Sequence, residues 1–134
     1  MKIIDKDFLN EVSEQAKISP RLRMNYNFHQ SLEDKCHRFL NAVELGTEVP
    51  IHKHPTKDET FVILRGKVRV TTHNDDGSII EDVVLCAEEG KYGVNILKGV
   101  WHTIEALESN SVIFECKEGP FVPHEEEGVL RLQQ

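Results

Sequence analysis

The residues that could do chemistry in this 134-residue chain are His52, His54, Glu59 and His102. The first three fall in Gly46-Thr-Glu-Val-Pro-Ile-His52-Lys-His54-Pro-Thr-Lys-Asp-Glu59, with Gly66 beyond, and the fourth ends Gly99-Val-Trp-His102. Residues two apart on a strand share a face, so His52 and His54 are expected to point the same way. Glu59 opens the apolar run Phe61-Val-Ile-Leu64 just past a short turn. Three imidazoles and one carboxylate converging on a point would hold one divalent first-row metal, with positions left for water or substrate. Such an ion polarises a carbonyl or hydroxyl, lowers the pKa of bound water, or activates oxygen if it is redox-active. Ligand type alone does not choose among Zn, Fe, Mn, Ni, Co and Cu. The competing reading is a metal-free protein whose histidines are relics or sugar-binding groups.

These side chains need a frame. From Arg38 onward, short apolar or alternating runs follow one another at residues 39–45, 49–54, 60–64, 67–72, 79–86, 93–97, 103–107 and 112–116. Asn74-Asp-Asp-Gly77 reads as a hairpin turn. Short strands at this spacing, with no βαβ rhythm, predict an all-β sandwich or small barrel. Ahead of them, Ile4, Phe8, Val12 and Ala16 recur every four residues. This spacing predicts one helix, started by Asp5, ended by Ser19-Pro20 and packed on the outside. The expected organisation is a helix and arm over residues 1–37, a barrel over 38–117 and a tail over 118–134, in one structural domain.

Strand parity sorts the other candidates. Phe61 and Ile63 share the parity of Glu59, and Ile104 and Ala106 that of His102, so they should wall the site with apolar surface. Phe61 is expected beside the ligand. In the arm, alternation puts Arg21, Arg23, Asn25, Asn27 and His29 on one face. Arginine forks suit carboxylate or phosphate, and asparagines suit hydroxyls. That face either lines the barrel mouth or is a polar edge strand, exchanged between subunits. Trp101 has the opposite parity to His102 and is expected in core or interface packing. Glu105 and Glu115 are candidate acid–base groups, Glu105 having the parity of a surface residue. His37, His73 and His124 lie in polar or turn-like sequence and read as surface residues. Glu125-Glu-Glu127 reads as a solvated tail.

Composition limits the classes. The formal net charge is −7, with no basic footprint, which argues against nucleic acid. Cys36, Cys86 and Cys116 are odd in number and far apart in sequence, as expected for free thiols in a reducing cytoplasm. Cys86 and Cys116 fall in apolar runs and are expected in the core. The first residues break into charge at once, unlike a signal peptide, and no run is long enough to span a membrane.

The spacing Gly46-x5-His52-x-His54-x4-Glu59-x6-Gly66 resembles the first cupin motif, and Gly99-x2-His102 resembles the end of the second. Leu97 stands where that motif usually carries proline. Over nearly the whole chain, Ser19-Pro-Arg-Leu-Arg-Met-Asn25-Tyr-Asn27-Phe-His29, Trp101-His102-Thr103 and Lys117-Glu-Gly-Pro-Phe121 resemble the WbuC-type cupin-fold metalloproteins, often encoded with surface-polysaccharide genes. The resemblance implies a double-stranded β-helix, a jelly-roll barrel, binding a metal and linked to sugar chemistry. Cupin barrels commonly pair by their sheets and the N-terminal segment offers an arm to swap, so a homodimer is expected, in the cytoplasm that the thiols indicate. The leading expectation is a metal-dependent enzyme acting on a sugar or anionic sugar derivative. A non-catalytic metal- or sugar-binding module and a metal-free sugar-nucleotide isomerase or epimerase are the alternatives. The full set of three histidines and a glutamate counts against the last.

Overall fold

The computed structural model describes residues 1–121 and 128–130. Helix α1 (Lys6–Ile18) begins where Asp5 caps it, the carboxylate accepting from Phe8 N–H at 2.9 Å, and ends at Ser19. Its inward face is Phe8, Leu9, Val12, Ser13 and Ala16. Ile4, expected on that face, precedes the helix and is exposed.

Ten strands among the described residues build two antiparallel sheets. They are β1 (Arg23–Asn27), β2 (Cys36–Val43), β3 (His52–Lys53), β4 (Glu59–Arg65) and β5 (Val68–His73). After these come β6 (Ile79–Leu85), β7 (Gly93–Ile96), β8 (Trp101–Ala106), β9 (Ser111–Glu118) and β10 (Gly128–Val129). The first sheet runs β1-β2-β9-β4-β7 and the second β10-β3-β8-β5-β6. This is the expected all-β jelly roll, with the cupin arrangement of two facing sheets. Each expected run contains a strand. The exception in length is 49–54, which yields only His52–Lys53. Pro50 and Pro55 lack the N–H a ladder needs and bracket it.

Alternation decides what is buried. In β4, Glu59, Phe61 and Ile63 turn inward while Thr60, Val62 and Leu64 turn out. Phe61 and Ile63 join Val43, Val68, Val70, Leu85 and others in the core between the sheets. The outer face of the first sheet carries Leu40, Ala42 and Val112, which α1 covers with Phe8, Leu9, Val12 and Ala16. Burying such side chains is worth about 1.5–3 kcal/mol each.

The arm segment is part of the first sheet. β1 pairs along its length with β2 of the same chain, Arg23 opposite Val43 through Asn27 opposite Phe39, and forms the sheet edge. Gly66, after β4, has φ +86°, and a Cβ there would lie 2.7 Å from Ser111 Cα, so only glycine fits.

Candidate metal centre

The site straddles the two sheets. His52 on β3 and His102 on β8 are register partners in the second sheet. His54 follows two residues after His52, past the end of β3, and Glu59 reaches in from the start of β4 in the first sheet. The backbone fixes this meeting point. Gly99 N–H donates to His54 O at 2.9 Å, tying the turn before His102 to the segment bearing His54. That turn closes without the motif proline, Val100 N–H reaching Leu97 O at 3.3 Å and Lys98 N–H reaching Asp58 Oδ1 at 2.8 Å.

One nitrogen from each of His52, His54 and His102 lies within 4.8 Å of the others, a group able to hold a metal ion. His54 and His102 are buried and His52 half-buried. Glu59, 5% exposed, comes within 3.1 Å of His54 Nε2 and 3.6 Å of His102 Nε2.

The ring orientations are set from behind. His52 Nδ1 lies 2.8 Å from Pro50 O, and His102 Nδ1 lies 2.9 Å from Val100 O. A carbonyl only accepts, so both Nδ1 atoms carry the hydrogen and donate it. In the neutral rings Nε2 is then a bare lone pair. His102 Nε2 is buried without a hydrogen-bond partner among the described residues. Backbone carbonyls commonly fix metal-binding histidines in this way. Buried lone pairs facing one another beside a carboxylate repel unless a cation sits between them, so these donors fit a divalent metal.

Charge follows the same geometry. Burial, reinforced by the imidazoles of His102 and His54, lowers the pKa of His52 below its ordinary value. Burial works against charge on Glu59, but hydrogen bonds and charge from His102 and His54, when those rings are protonated, outweigh it and hold the carboxyl well below the usual range. Glu115 is pushed the other way, by burial and then by the charge of Glu59.

A cavity of about 450 Å³ opens from these groups. Phe39, Val49, Phe61 and Ile104 give it an apolar wall, as parity predicted for Phe61 and Ile104, whereas Ile63 and Ala106, expected there too, pack in the core. Arg21, Arg23 and Asn25 line it too. Asn27 and His29 do not: Asn27 is exposed at the end of β1, where the alternation stops. His29 folds back onto His37, ring centroids 4.2 Å apart and planes within 4°, and accepts from Arg38 N–H at 3.1 Å.

Several surface expectations are corrected. His37 is buried, held at Nε2 by Leu32 O at 3.1 Å, because it shares the inward parity of Phe39 on β2. His73 is buried beneath its own hairpin, donating from Nδ1 to Gly77 O at 2.9 Å and accepting at Nε2 from Thr71 Oγ1 at 2.8 Å. Cys86 is buried, but Cys116 is only half-buried and lies beside exposed Cys36, sulfurs 3.8 Å apart. Glu105 is exposed. Trp101 is half-buried outside the cavity, under Lys53 Nζ at 4.4 Å and donating to Asp75 Oδ1 at 2.8 Å. His124 and Glu125–Glu127 lie outside the described residues.

Sequence reasoning missed Asn41 and Lys117 and left Glu115 undecided; all three line the cavity. The missed signal was strand parity: Asn41 matches Phe39 on β2, and Lys117 matches Glu115 on β9.

Solved structures share this fold. The capsular polysaccharide assembling protein CapF of Staphylococcus aureus is 24% identical, with a TM-score of 0.68 over 86% of this chain and 31% of CapF. The cupin domain of Schizosaccharomyces pombe Cnp3 is 13% identical, with a TM-score of 0.55 over 72% of this chain and 64% of that one. Oxalate decarboxylase of Bacillus subtilis is 18% identical, with a TM-score of 0.58 over 81% of this chain and 27% of the enzyme. This chain thus spans about a third of the length of CapF. No curated protein sequence matches it. Among the described residues, no helix is long and apolar enough to cross a membrane. The family described as Domain of unknown function (DUF6016) matches residues 4–85, a stretch holding His52, His54 and Glu59, and this cupin-fold chain belongs to that family.

Proposed function

We propose that this chain is a metal-dependent enzyme acting on a small carbohydrate-derived molecule. Its single divalent first-row metal is held by His52, His54, His102 and Glu59. The observation that carries the reading is the orientation of His52 and His102. Both spend their Nδ1 hydrogens on backbone carbonyls and turn Nε2 lone pairs to a shared point, beside a buried carboxylate. A bound ion of this kind supplies Lewis acidity to a ligand oxygen or a water of lowered pKa. The chain's own residues do the rest. Phe61 and Ile104 exclude water from one side of the cavity. Arg21 and Arg23 set its charge.

Support for a small ligand is the cavity volume, which lies in the range typical of small-molecule sites. CapF, the fold relative, has been crystallised with the inhibitor 3-isopropenyl-tropolone. Support for the carbohydrate link is CapF's own role as a capsular polysaccharide assembling protein, together with the WbuC-like sequence features. In this reading the protein is a cytoplasmic homodimer. Its cysteines are free thiols, and among the described residues β1 is an edge strand that a second copy could pair with.

The test is elemental analysis of purified protein alongside His54→Ala, with circular dichroism to confirm the fold. About one metal per wild-type chain and none in the folded variant is expected; equal metal content in both would sink the ligand set. Incubating loaded protein with sugar nucleotides and sugar acids, with products followed by mass spectrometry, tests turnover. Binding without turnover across that panel would make the protein a binding module.

A further inference from the structure

Asn41 and Glu115 form a second polar feature in the same cavity, in contact with the proposed centre through Glu59. Glu115 on β9 is 7% exposed and accepts from Asn41 Nδ2 on β2 at 3.0 Å. That contact fixes the carboxamide: its nitrogen faces Glu115, and its oxygen is left over. Asn41 Oδ1 is buried with no hydrogen-bond partner among the described residues. Buried acceptors rarely stay unmet, so a missing donor is the natural complement. Whatever proton Glu115 holds, its oxygens also keep lone pairs to offer.

Cations line the same cavity, Lys117 on the same strand face as Glu115 and Arg23 on β1 beside β2. Arg21, Arg23 and Lys117 line it, although the chain as a whole carries a formal net charge of −7. Arg23 is braced from outside, Nη1 donating to Glu48 O at 2.7 Å. Glu59 and Glu115 share the lining, so the three cations offer an anion a local partner rather than a uniformly positive cleft.

The cations and the unmet acceptor together define a ligand class. We infer that the cavity takes a polyhydroxylated acid, its acid group toward Arg21, Arg23 and Lys117 and a hydroxyl donating to Asn41 Oδ1 and Glu115. An ionised dicarboxylate such as oxalate carries only acceptors, so it satisfies the cations and leaves Asn41 Oδ1 unmet. A neutral sugar does the reverse. Only a molecule carrying both groups answers both demands, as a uronic or aldonic acid does. This assignment rests on the proposed use of the cavity as the ligand site.

Calorimetric titration of glucuronate, gluconate, glucose and oxalate tests it, using metal-loaded and metal-free wild type, Asn41→Leu and Asn41→Ala. Asn41 hydrogen-bonds to Glu115 and not to a histidine, and the Ala variant adds no bulk, so folding is guarded twice. Wild type is expected to bind glucuronate or gluconate more tightly than glucose or oxalate. Loss of one well-placed hydrogen bond predicts about tenfold weaker hydroxy-acid binding in both variants. Metal content and oxalate affinity should be unchanged. Unchanged hydroxy-acid affinity in both variants overturns the subsite, and so does failure of wild type to bind either hydroxy acid. Hydroxy-acid binding by a protein that retains no metal would overturn the metal reading alone and leave the subsite standing.

Discussion

Metal should hold the two sheets together, and His102→Ala measures by how much. His52, His54 and His102 belong to the side of the second sheet, whereas Glu59 belongs to the first. Unfolding separates His102 from the other three by more than forty residues of chain, so the full site exists only in the native state. A ligand bound only by the native state at a hundred times its dissociation constant stabilises by about 2.7 kcal/mol. Unfolding entropy of about 2.1 cal/mol/K per residue gives about 0.28 kcal/mol/K for this length. The melting temperature should therefore rise by about 10 °C on metal loading of the wild type. His102 is 2% exposed and supplies one of three clustered nitrogens. If its loss weakens binding about a hundredfold, the same metal concentration yields about 0.4 kcal/mol and a shift below about 2 °C. Thermal melts followed by circular dichroism, each protein with chelator and with metal, read this directly. Comparing shifts within each protein cancels any cost of the substitution itself. Equal shifts in wild type and His102→Ala would refute the reasoning, as would a wild type indifferent to metal.

Other outcomes follow from the frame. Leu40→Ala, at a fully buried position under α1, should cost about 2–5 kcal/mol in urea unfolding. Gly66→Ala should destabilise by more than about 2 kcal/mol, from its left-handed φ and the clash with Ser111, and be read in the same assay. His37 titrates below its ordinary 6.5, because burial and then the neighbouring charge of His29 disfavour its protonated form. The unfolded chain then binds the proton more readily, so the His37 contribution is complete above pH 6.5 and is lost as pH falls through the depressed value. Metal-free wild type should lose more stability than His37→Phe between pH 8 and pH 5, measured by urea midpoints.

Much of this was legible because periodicity survives folding. The run from Glu59 to Ile63 alternates as it reads, so its inward glutamate, phenylalanine and isoleucine could be named in advance. The helix was equally readable from Asp5 and the spacing of Phe8, Val12 and Ala16. What failed was local context standing in for tertiary cover. His73 sits in a polar stretch, yet its own turn folds over it. His37 looks solvated until the loop carrying His29 stacks on it. Asn27 and His29 were extrapolated from an alternation that ends with β1. Asn41 was overlooked because one asparagine inside an apolar strand carries no chemical signal until Glu115, more than seventy residues away, is placed beside it.

The most direct measurement is an anomalous-difference map from crystals of metal-loaded protein, collected across the first-row absorption edges. It should show one peak per chain within about 2.0–2.2 Å of the Nε2 atoms of His52, His54 and His102, with Glu59 oxygen alongside. A map with no peak among those four side chains, or with its only peak elsewhere, would contradict the proposed centre.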